Sequence, residues 1–141
     1  MNCSVLVVDD EHDIRQLLST MLTMMGYQSF VAHDGLDALE KIPECQPDVL
    51  ILDVMMPRMD GLALCRKLRG MQETAALPII MLSGKAHQEA IQEGLNAGAN
   101  RYLVKPTGLD ELTRNIDEVL GETAVNNTTL KQNSSPKKIE A

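Results

Sequence analysis

The 141-residue sequence contains no tryptophan, one phenylalanine and two tyrosines. A core built from this composition must be aliphatic and rich in methionine, of which the chain has nine. Apolar residues make up 44% of the sequence and are spread along most of it. This distribution indicates one globular domain, large enough to bury a core without covalent staples, rather than a disordered polypeptide.

Paired cysteines are also missing. Cys3, Cys45 and Cys65 form an odd set with no regular spacing, which argues against a disulfide scaffold and against a zinc site. We therefore expect reduced thiols in a cytoplasmic protein. No basic start followed by an apolar segment indicates a signal peptide, and no apolar run approaches the roughly 18 residues of a membrane span.

Positive charge is scarce. The 13 lysines and arginines face 20 aspartates and glutamates, which gives a net charge of −7. Residues 122–141 contain three lysines and two glutamates, so residues 1–121 carry −8. Affinity for phosphate backbones requires lysine and arginine, and no base-reading motif is present. Direct binding to nucleic acid is therefore not expected.

The sequence does contain four short apolar runs, each of which ends in a residue suited to phosphate or metal chemistry. Residues 5–8 lead into Asp9 and Asp10, residues 49–52 into Asp53, residues 79–82 into Ser83, and residues 101–104 into Lys105 and Pro106. Such runs are typical of buried parallel strands, whose carboxyl ends share one edge of a sheet. One aspartate could merely cap a helix, one serine form a turn and one lysine lie on the surface. The complete set favours a site.

Helical patterns separate these runs. We predict strands at residues 3–8, 27–32, 49–52, 79–82 and 99–104, and helices at about 11–25, after 34, at 60–69, 87–96 and 109–120. This alternation predicts a parallel sheet with right-handed crossovers. Beyond Gly121 the sequence becomes polar and rich in turn residues. We therefore predict a domain at residues 1–121 and a flexible tail or linker at 122–141.

Helix ends and buried helix faces can be predicted as well. Asp10 and Asp34 are candidate N-caps, the third helix is expected to begin at Asp60, and Gly26 should end the first helix. Apolar residues at helical spacing predict the faces that pack on the sheet. They include Ile14, Leu17, Leu18, Met21, Leu22 and Met25 in the first helix, Leu36, Leu39 and Ile42 in the second, and Ala90, Ile91 and Leu95 in the fourth.

The polar residues at the strand ends, in this order and spacing, resemble the receiver domain of two-component response regulators, which includes chemotaxis regulators. The segments DVMMPRMDG (53–61) and GANRYLVKP (98–106) are similar to that family, and the resemblance spans roughly residues 4–120. It implies a flavodoxin-like α/β fold, with a five-stranded parallel sheet in the order 2-1-3-4-5 and helices on both faces.

The resemblance also implies a magnesium site. Asp10, Asp53 and the backbone carbonyl of Met55 would be ligands, and Asp9 would act mainly through a metal-bound water. Three carboxylates in one crevice repel each other unless a cation is present. Mg²⁺ prefers oxygen ligands, so it suits this set.

Asp53 would then be the nucleophile that forms an acyl phosphate. Lys105 would stabilise charge on the transferring group, and the Lys105–Pro106 bond is expected to be cis. Ser83 would donate its hydroxyl to a phosphoryl oxygen, and the small Gly84 leaves room for that group. The protein is expected to catalyse only its own phosphorylation and dephosphorylation, and not to be an enzyme acting on an external metabolite.

Signalling would use a two-state switch. Ser83 would move toward the phosphoryl group, Tyr102 would rotate into the vacated space, and the face of the fourth helix, fifth strand and fifth helix would change for a downstream protein. The expected donor is a sensor histidine kinase or a histidine phosphotransfer protein. A phosphorylation-dependent homodimer is left open by the sequence.

Other interpretations share parts of this pattern. A flavin-binding domain needs a small-residue phosphate loop where Asp9 and Asp10 stand, and a haloacid-dehalogenase-type phosphatase needs an aspartate where Met55 stands. A pseudo-receiver, which would be a phosphorylation-independent interaction module, is the main alternative. Two positions depart from the family pattern. Thr107 is a candidate cap for the fifth helix, and Met55 does not suit the positioning of an attacking water, so we expect a long-lived acyl phosphate.

Overall fold

The computed structural model describes the backbone of residues 3–133 and the side chains of residues 3–122. Strands and helices alternate along this part of the chain. The strands are β1 (Ser4–Val8), β2 (Gln28–Ala32), β3 (Val49–Leu52), β4 (Ile79–Ser83) and β5 (Arg101–Val104). The helices are α1 (His12–Met24), α2 (Gly35–Cys45), α3 (Gly61–Arg69), α4 (Gln88–Ala97) and α5 (Leu109–Asn133).

The five strands form one parallel sheet in the order β2-β1-β3-β4-β5, which confirms the predicted fold class. The continuously apolar strands β1, β3 and β4 are buried along their whole length, as expected for strands covered on both faces. The more polar β2 lies at an edge of the sheet, where Gln28 is exposed.

Alternate residues of the strands belong to two separate hydrophobic cores, because successive side chains of a strand point to opposite faces of the sheet. One core is formed against α2, α3 and the end of α4, and its buried strand residues are Leu6, Val8, Ala32, Leu50, Leu52, Ile79 and Met81. The other is formed against α1 and α5, and its strand residues are Val5, Val7, Val49, Ile51, Ile80, Leu82 and Leu103. Helices therefore cover both faces, as predicted.

The predicted Asp34 cap is confirmed, and the structure adds a cap at Asp60, which the sequence placed inside the third helix. Asp34 accepts a hydrogen bond from the Asp37 N–H, and Asp60 from the Ala63 N–H, each at 2.8 Å. The predicted Asp10 cap is wrong. The N-cap of α1 is Glu11, without a side-chain capping bond. The Glu11 N–H donates instead to Asp9 Oδ1 at 2.9 Å, so the first of the two aspartates closes this turn and Asp10 stays exposed.

The end of α1 follows the prediction, since Gly26 has a φ of +92° directly after the C-cap. Several predicted buried positions are wrong, however. Each of these residues lies next to, or at the end of, the set of helix residues that packs on the sheet. Because successive residues of an α-helix are rotated by about 100°, a neighbouring residue points away from the sheet. The exposed side chains are Leu17 (57%), Met25 (47%), Leu36 (50%) and Leu95 (39%).

Helix α5 continues to Asn133, so the helix end predicted near Leu120 is wrong. Between Gly121 and Asn133 there is no proline or further glycine, and an established helix adds residues more easily than it nucleates. A flexible tail or linker at 122–141 stays a prediction, and residues 134–141 lie outside the described part. Among residues 3–133, no helix, α5 included, combines the length and apolar character needed to cross a membrane.

Candidate functional site

Sheet register brings the polar strand ends together. Val8 pairs with Leu52, so Asp9 and Asp53 follow on neighbouring strands, and the Asp53 N–H donates to Val8 O at 2.9 Å. On the other side, the Lys105 N–H donates to Ser83 O at 2.8 Å. All four polar ends therefore lie at the carboxyl edge of the sheet, where ligands bind in open α/β folds.

The three predicted acidic residues form one cluster. Carboxylate oxygens of Asp9, Asp10 and Asp53 all lie within 4.8 Å of one another. Asp9 and Asp53 are buried, and Asp10 is exposed. The Met55 N–H approaches Asp53 Oδ1 at 3.4 Å, which places the first turn of the following loop beside the cluster. An all-oxygen donor set that is partly open to solvent fits Mg²⁺, which keeps several of its waters.

The protonation chemistry of Asp53 supports the same conclusion. Burial, and then the negative charge of Asp9, raise the pKa of Asp53 from 3.8 to about 6, although Lys105 opposes this shift. Loss of hydration and the neighbouring acid thus both disfavour the charged form of Asp53. A cation bound at this site would therefore stabilise the ionised form of the Asp53 carboxylate.

Lys105 is the positive partner of the two buried acids. Its Nζ lies 2.9 Å from Asp9 Oδ2 and 3.5 Å from Asp53 Oδ1. Burial alone would lower the pKa of Lys105, but the hydrogen bond to Asp9 and the charge of Asp53 raise it above its usual value. The Lys105–Pro106 peptide bond is cis. The ammonium therefore stays charged within reach of both carboxylates.

Ser83 ends β4 beside this group and is completely buried. Its Oγ accepts a hydrogen bond from the Lys85 N–H at 3.2 Å, so its described partner lies in the β4–α4 loop and not among the acids. At Gly84, an added Cβ would meet no atom within 4 Å. The side-chain position of residue 84, next to Ser83 in the chain, is therefore open space.

A family model described as the response regulator receiver domain matches residues 5–117. The chain belongs to the response regulator receiver family. Receivers act in two-component signalling and interact with histidine kinases or phosphotransfer proteins, and they typically bind Mg²⁺ at an acidic pocket.

Individual relatives agree with this assignment. The receiver is 44% identical to response regulator MprA of Mycobacterium tuberculosis over 123 residues, which cover 87% of this chain and 53% of MprA. MprA of Mycobacterium ulcerans matches at 44% identity over 87% of this chain and 52% of its own. The chain thus spans about half the length of the curated relatives it matches.

Solved structures show the same fold. The chemotaxis protein CheY4 of Vibrio cholerae superposes with a TM-score of 0.79 at 37% identity, covering 84% of this chain and 99% of CheY4. A putative response regulator from Chloroflexus aurantiacus superposes with a TM-score of 0.82 at 36% identity, covering 86% of this chain and 99% of its own.

Tyr102, the predicted switch residue of the receiver, is tied to the same loop as Ser83. Its hydroxyl donates to Lys85 O at 2.9 Å. Its ring fills the space over Gly94 of α4, because a Cβ at Gly94 would lie 2.7 Å from Tyr102 Cδ2. The Lys85 backbone thus contacts both predicted switch residues, Ser83 through its N–H and Tyr102 through its carbonyl.

Sequence reasoning missed one contact near the receiver site. Arg58, in the loop after Asp53, forms an ion pair with Asp34 Oδ2, although the two residues are 24 positions apart in the chain. The sequence predicts Asp34 only as a helix cap, which it is. No periodicity or spacing signals a pair of this kind, because its geometry depends on how the loop and α2 meet in three dimensions.

Proposed function

We propose that this receiver accepts a phosphoryl group on Asp53 from a phosphohistidine donor, which would be a sensor histidine kinase or a histidine phosphotransfer protein. One observation carries the proposal. The buried Asp53 carboxylate lies at the end of the central strand with two other acids within 4.8 Å and the Lys105 ammonium at 3.5 Å. A nucleophile, a cation-binding donor set and a fixed positive charge are together in one cleft.

In the transfer step, a carboxylate oxygen of Asp53 attacks phosphorus as the bond from phosphorus to the donor imidazole nitrogen breaks. The electron pair of that bond returns to the imidazole, and Asp53 becomes an acyl phosphate. Lys105, already between Asp9 and Asp53, pairs with oxygens of the incoming group. Asp53, Asp10 and the Met55 carbonyl would hold Mg²⁺, with Asp9 acting less directly. Bound Mg²⁺ would offset negative charge on the acids and the phosphoryl oxygens.

Ser83 would take part only after a local rearrangement. Its Oγ now accepts from the Lys85 N–H, and it would turn its hydroxyl toward a phosphoryl oxygen, with the small Gly84 beside it in the chain. Because Tyr102 is bonded to the Lys85 carbonyl, movement of this loop would reach α4 and β5. The face of α4, β5 and α5 would then present a changed surface to a downstream protein.

The proposed setting is the cytoplasm, where phosphohistidine proteins would meet the domain. Its acidic composition gives no support to direct nucleic-acid binding, and its chemistry would be limited to its own phosphorylation and dephosphorylation. The modified form acts by binding proteins through this face.

The test is intact-mass measurement after incubation with acetyl phosphate, with and without Mg²⁺. We expect a single phosphoryl adduct that requires Mg²⁺, is absent in Asp53→Asn and persists in Asp60→Asn. Asparagine at position 60 keeps a capping oxygen for α3, which makes it a matched control. A chain that stays unmodified, while it remains folded and binds Mg²⁺, would favour the pseudo-receiver alternative, an interaction module that does not depend on phosphorylation.

A further inference from the structure

The loop of residues 53–61 links the proposed phosphoacceptor to α3 and carries the Met55 carbonyl. Its base is closed tightly, since the Gly61 N–H donates to Val54 O at 2.8 Å and a Cβ at Gly61 would lie 2.2 Å from Asp53 O. Val54 and Met56 are buried in the core, whereas the Met55 side chain between them is 56% exposed. The Met55 peptide is therefore not held by its own side chain.

The tip of this loop is fastened to the beginning of α2. The Met59 N–H donates to Pro57 O at 2.8 Å, and Arg58 has a φ of +67°, so the chain reverses sharply here. The Arg58 guanidinium pairs with Asp34 Oδ2. Met59 packs on Gly35, where a Cβ would lie only 3.0 Å from Met59 Cβ. These two contacts join the tip to the body of the domain.

Asp34 is a firm anchor for this attachment. It is buried, and its second oxygen, Oδ1, caps α2 by accepting from the Asp37 N–H. It follows β2 closely, and the last residue of that strand, Ala32, accepts a hydrogen bond from the Asp9 N–H at 3.2 Å. Asp34 therefore lies two residues beyond the Ala32 carbonyl that bonds to Asp9 in the acidic cluster.

We propose that Arg58 is a positioning residue for the cation site. By holding the loop tip against Asp34, it limits movement of the loop that carries the Met55 carbonyl, one of the proposed Mg²⁺ ligands. Mg²⁺ requires near-ideal octahedral geometry, so loss of this restraint lowers its affinity. The inference rests on the proposed magnesium-dependent function and assigns a role to a residue that touches neither the ion nor the phosphoryl group.

The proposal predicts an effect opposite in sign to simple electrostatics. Removing the positive charge of Arg58 makes an already acidic domain more negative, which by charge alone strengthens the binding of a divalent cation. Loss of the contact between Arg58 and Asp34, by contrast, weakens the binding of that cation. Arg66 provides the comparison, because it is exposed on α3 and its replacement changes the net charge equally.

The experiment is calorimetric titration of the unphosphorylated chain with Mg²⁺. The variants are Arg58→Asn, Asp34→Asn, the double variant, Arg58→Lys and the control Arg66→Gln. Asparagine tolerates the left-handed backbone at position 58 and keeps the capping oxygen at position 34. We expect Arg58→Asn and Asp34→Asn each to raise the dissociation constant roughly 10-fold, as losses of residues that orient metal ligands typically do.

The double variant should bind no more weakly than the weaker single variant, because both changes remove one contact. Arg58→Lys should lie between wild type and Arg58→Asn, and Arg66→Gln should bind at least as tightly as wild type. Phosphorylation by acetyl phosphate should be slow in Arg58→Asn at low Mg²⁺ and recover at saturating Mg²⁺. Thermal unfolding in chelator checks that the variants fold. If Arg58→Asn is unfolded, the Arg58→Lys titration decides, because it keeps the charge and changes only the contact.

Two outcomes overturn the inference in different ways. Arg58→Asn binding Mg²⁺ as tightly as wild type and Arg66→Gln removes the positioning role but leaves the proposed function intact. A wild-type chain that binds no Mg²⁺ removes both, together with the metal site on which they depend.

Discussion

At the level of single residues, the chemistry of the site follows from two buried carboxylates that share one lysine. Lys105 Nζ lies closer to Asp9 than to Asp53, at 2.9 against 3.5 Å. Asp9 is therefore the better compensated acid, and Asp53 carries the raised pKa. The residue with the least compensated charge is the one that we propose to be phosphorylated.

This arrangement predicts how stability depends on pH without metal. The pKa of Asp53 is about 6 in the folded chain and 3.8 when unperturbed, so the folded state binds this proton more tightly than the unfolded state. Its contribution to stability is present below about pH 4 and is lost as pH rises through 6. Asp53→Asn should then be more stable than wild type in chelator at pH 7 to 8, by roughly 2 to 3 kcal/mol.

Urea unfolding followed by circular dichroism across this pH range measures the difference. The advantage of Asp53→Asn should shrink toward zero below pH 4, and added Mg²⁺ should stabilise wild type at pH 7 to 8 far more than the variant. A wild-type chain that is more stable than Asp53→Asn in chelator at pH 8 would contradict the proposed burial of uncompensated charge.

A second residue-level prediction concerns the lifetime of the acyl phosphate. The exposed thioether of Met55 cannot orient a water molecule for attack, so hydrolysis should be slow. Met55→Asn places an amide there, which can hold such a water, and should accelerate loss of the phosphoryl group several-fold. The decay of the adduct by intact mass measures this. Met24→Asn, a change at a more exposed methionine of α1, is the control, and slower decay in Met55→Asn would count against the prediction.

At the level of elements, α4 is shaped by what it packs against rather than by helix propensity. It contains Gly94, a residue that destabilises helix interiors by about 1 kcal/mol relative to alanine. The glycine is accommodated because the Tyr102 ring and Met81 Sδ occupy the space that a Cβ would need, at 2.7 and 2.9 Å. Packing of the proposed switch residue Tyr102 thus requires glycine at position 94, although glycine lowers the local stability of the helix.

Gly94→Ala should therefore destabilise the domain by about 1 to 3 kcal/mol through overpacking, despite the better helix former. In a Tyr102→Ala background the same change should become much less costly or stabilising, since the flexible Met81 side chain can move aside. Gly121→Ala in α5, where a Cβ meets nothing within 4 Å, is the matched control and should stabilise by roughly 0.5 to 1 kcal/mol. Chemical denaturation of the four variants gives the coupling energy, and equal effects at both glycines would exclude the steric explanation.

At the level of the whole molecule, the fold could be predicted because the strands are unambiguous. Runs such as residues 49–52 are short, apolar and bounded by turn residues, which favours buried strands, and their order along the chain with intervening helices restricts the topology. The acidic cluster follows from the same reasoning, because register fixes where strand ends lie. Contacts that depend on how separate segments meet, such as Arg58 with Asp34 or Tyr102 with Gly94, have no sequence signal. The predicted end of α5 is wrong because polar residues without helix breakers can still extend a helix.

The strand order also has a consequence for how the molecule assembles. Strand β1 pairs with β2 and β3, so the first 53 residues can bring all three acids together before the rest of the sheet exists. Lys105 arrives only with β5, the last strand, at the far edge. During folding, and during synthesis from the amino terminus, the nascent cluster therefore lacks the Lys105 ammonium until the final strand docks. The sheet is completed in the same step that brings Lys105 to its acidic edge.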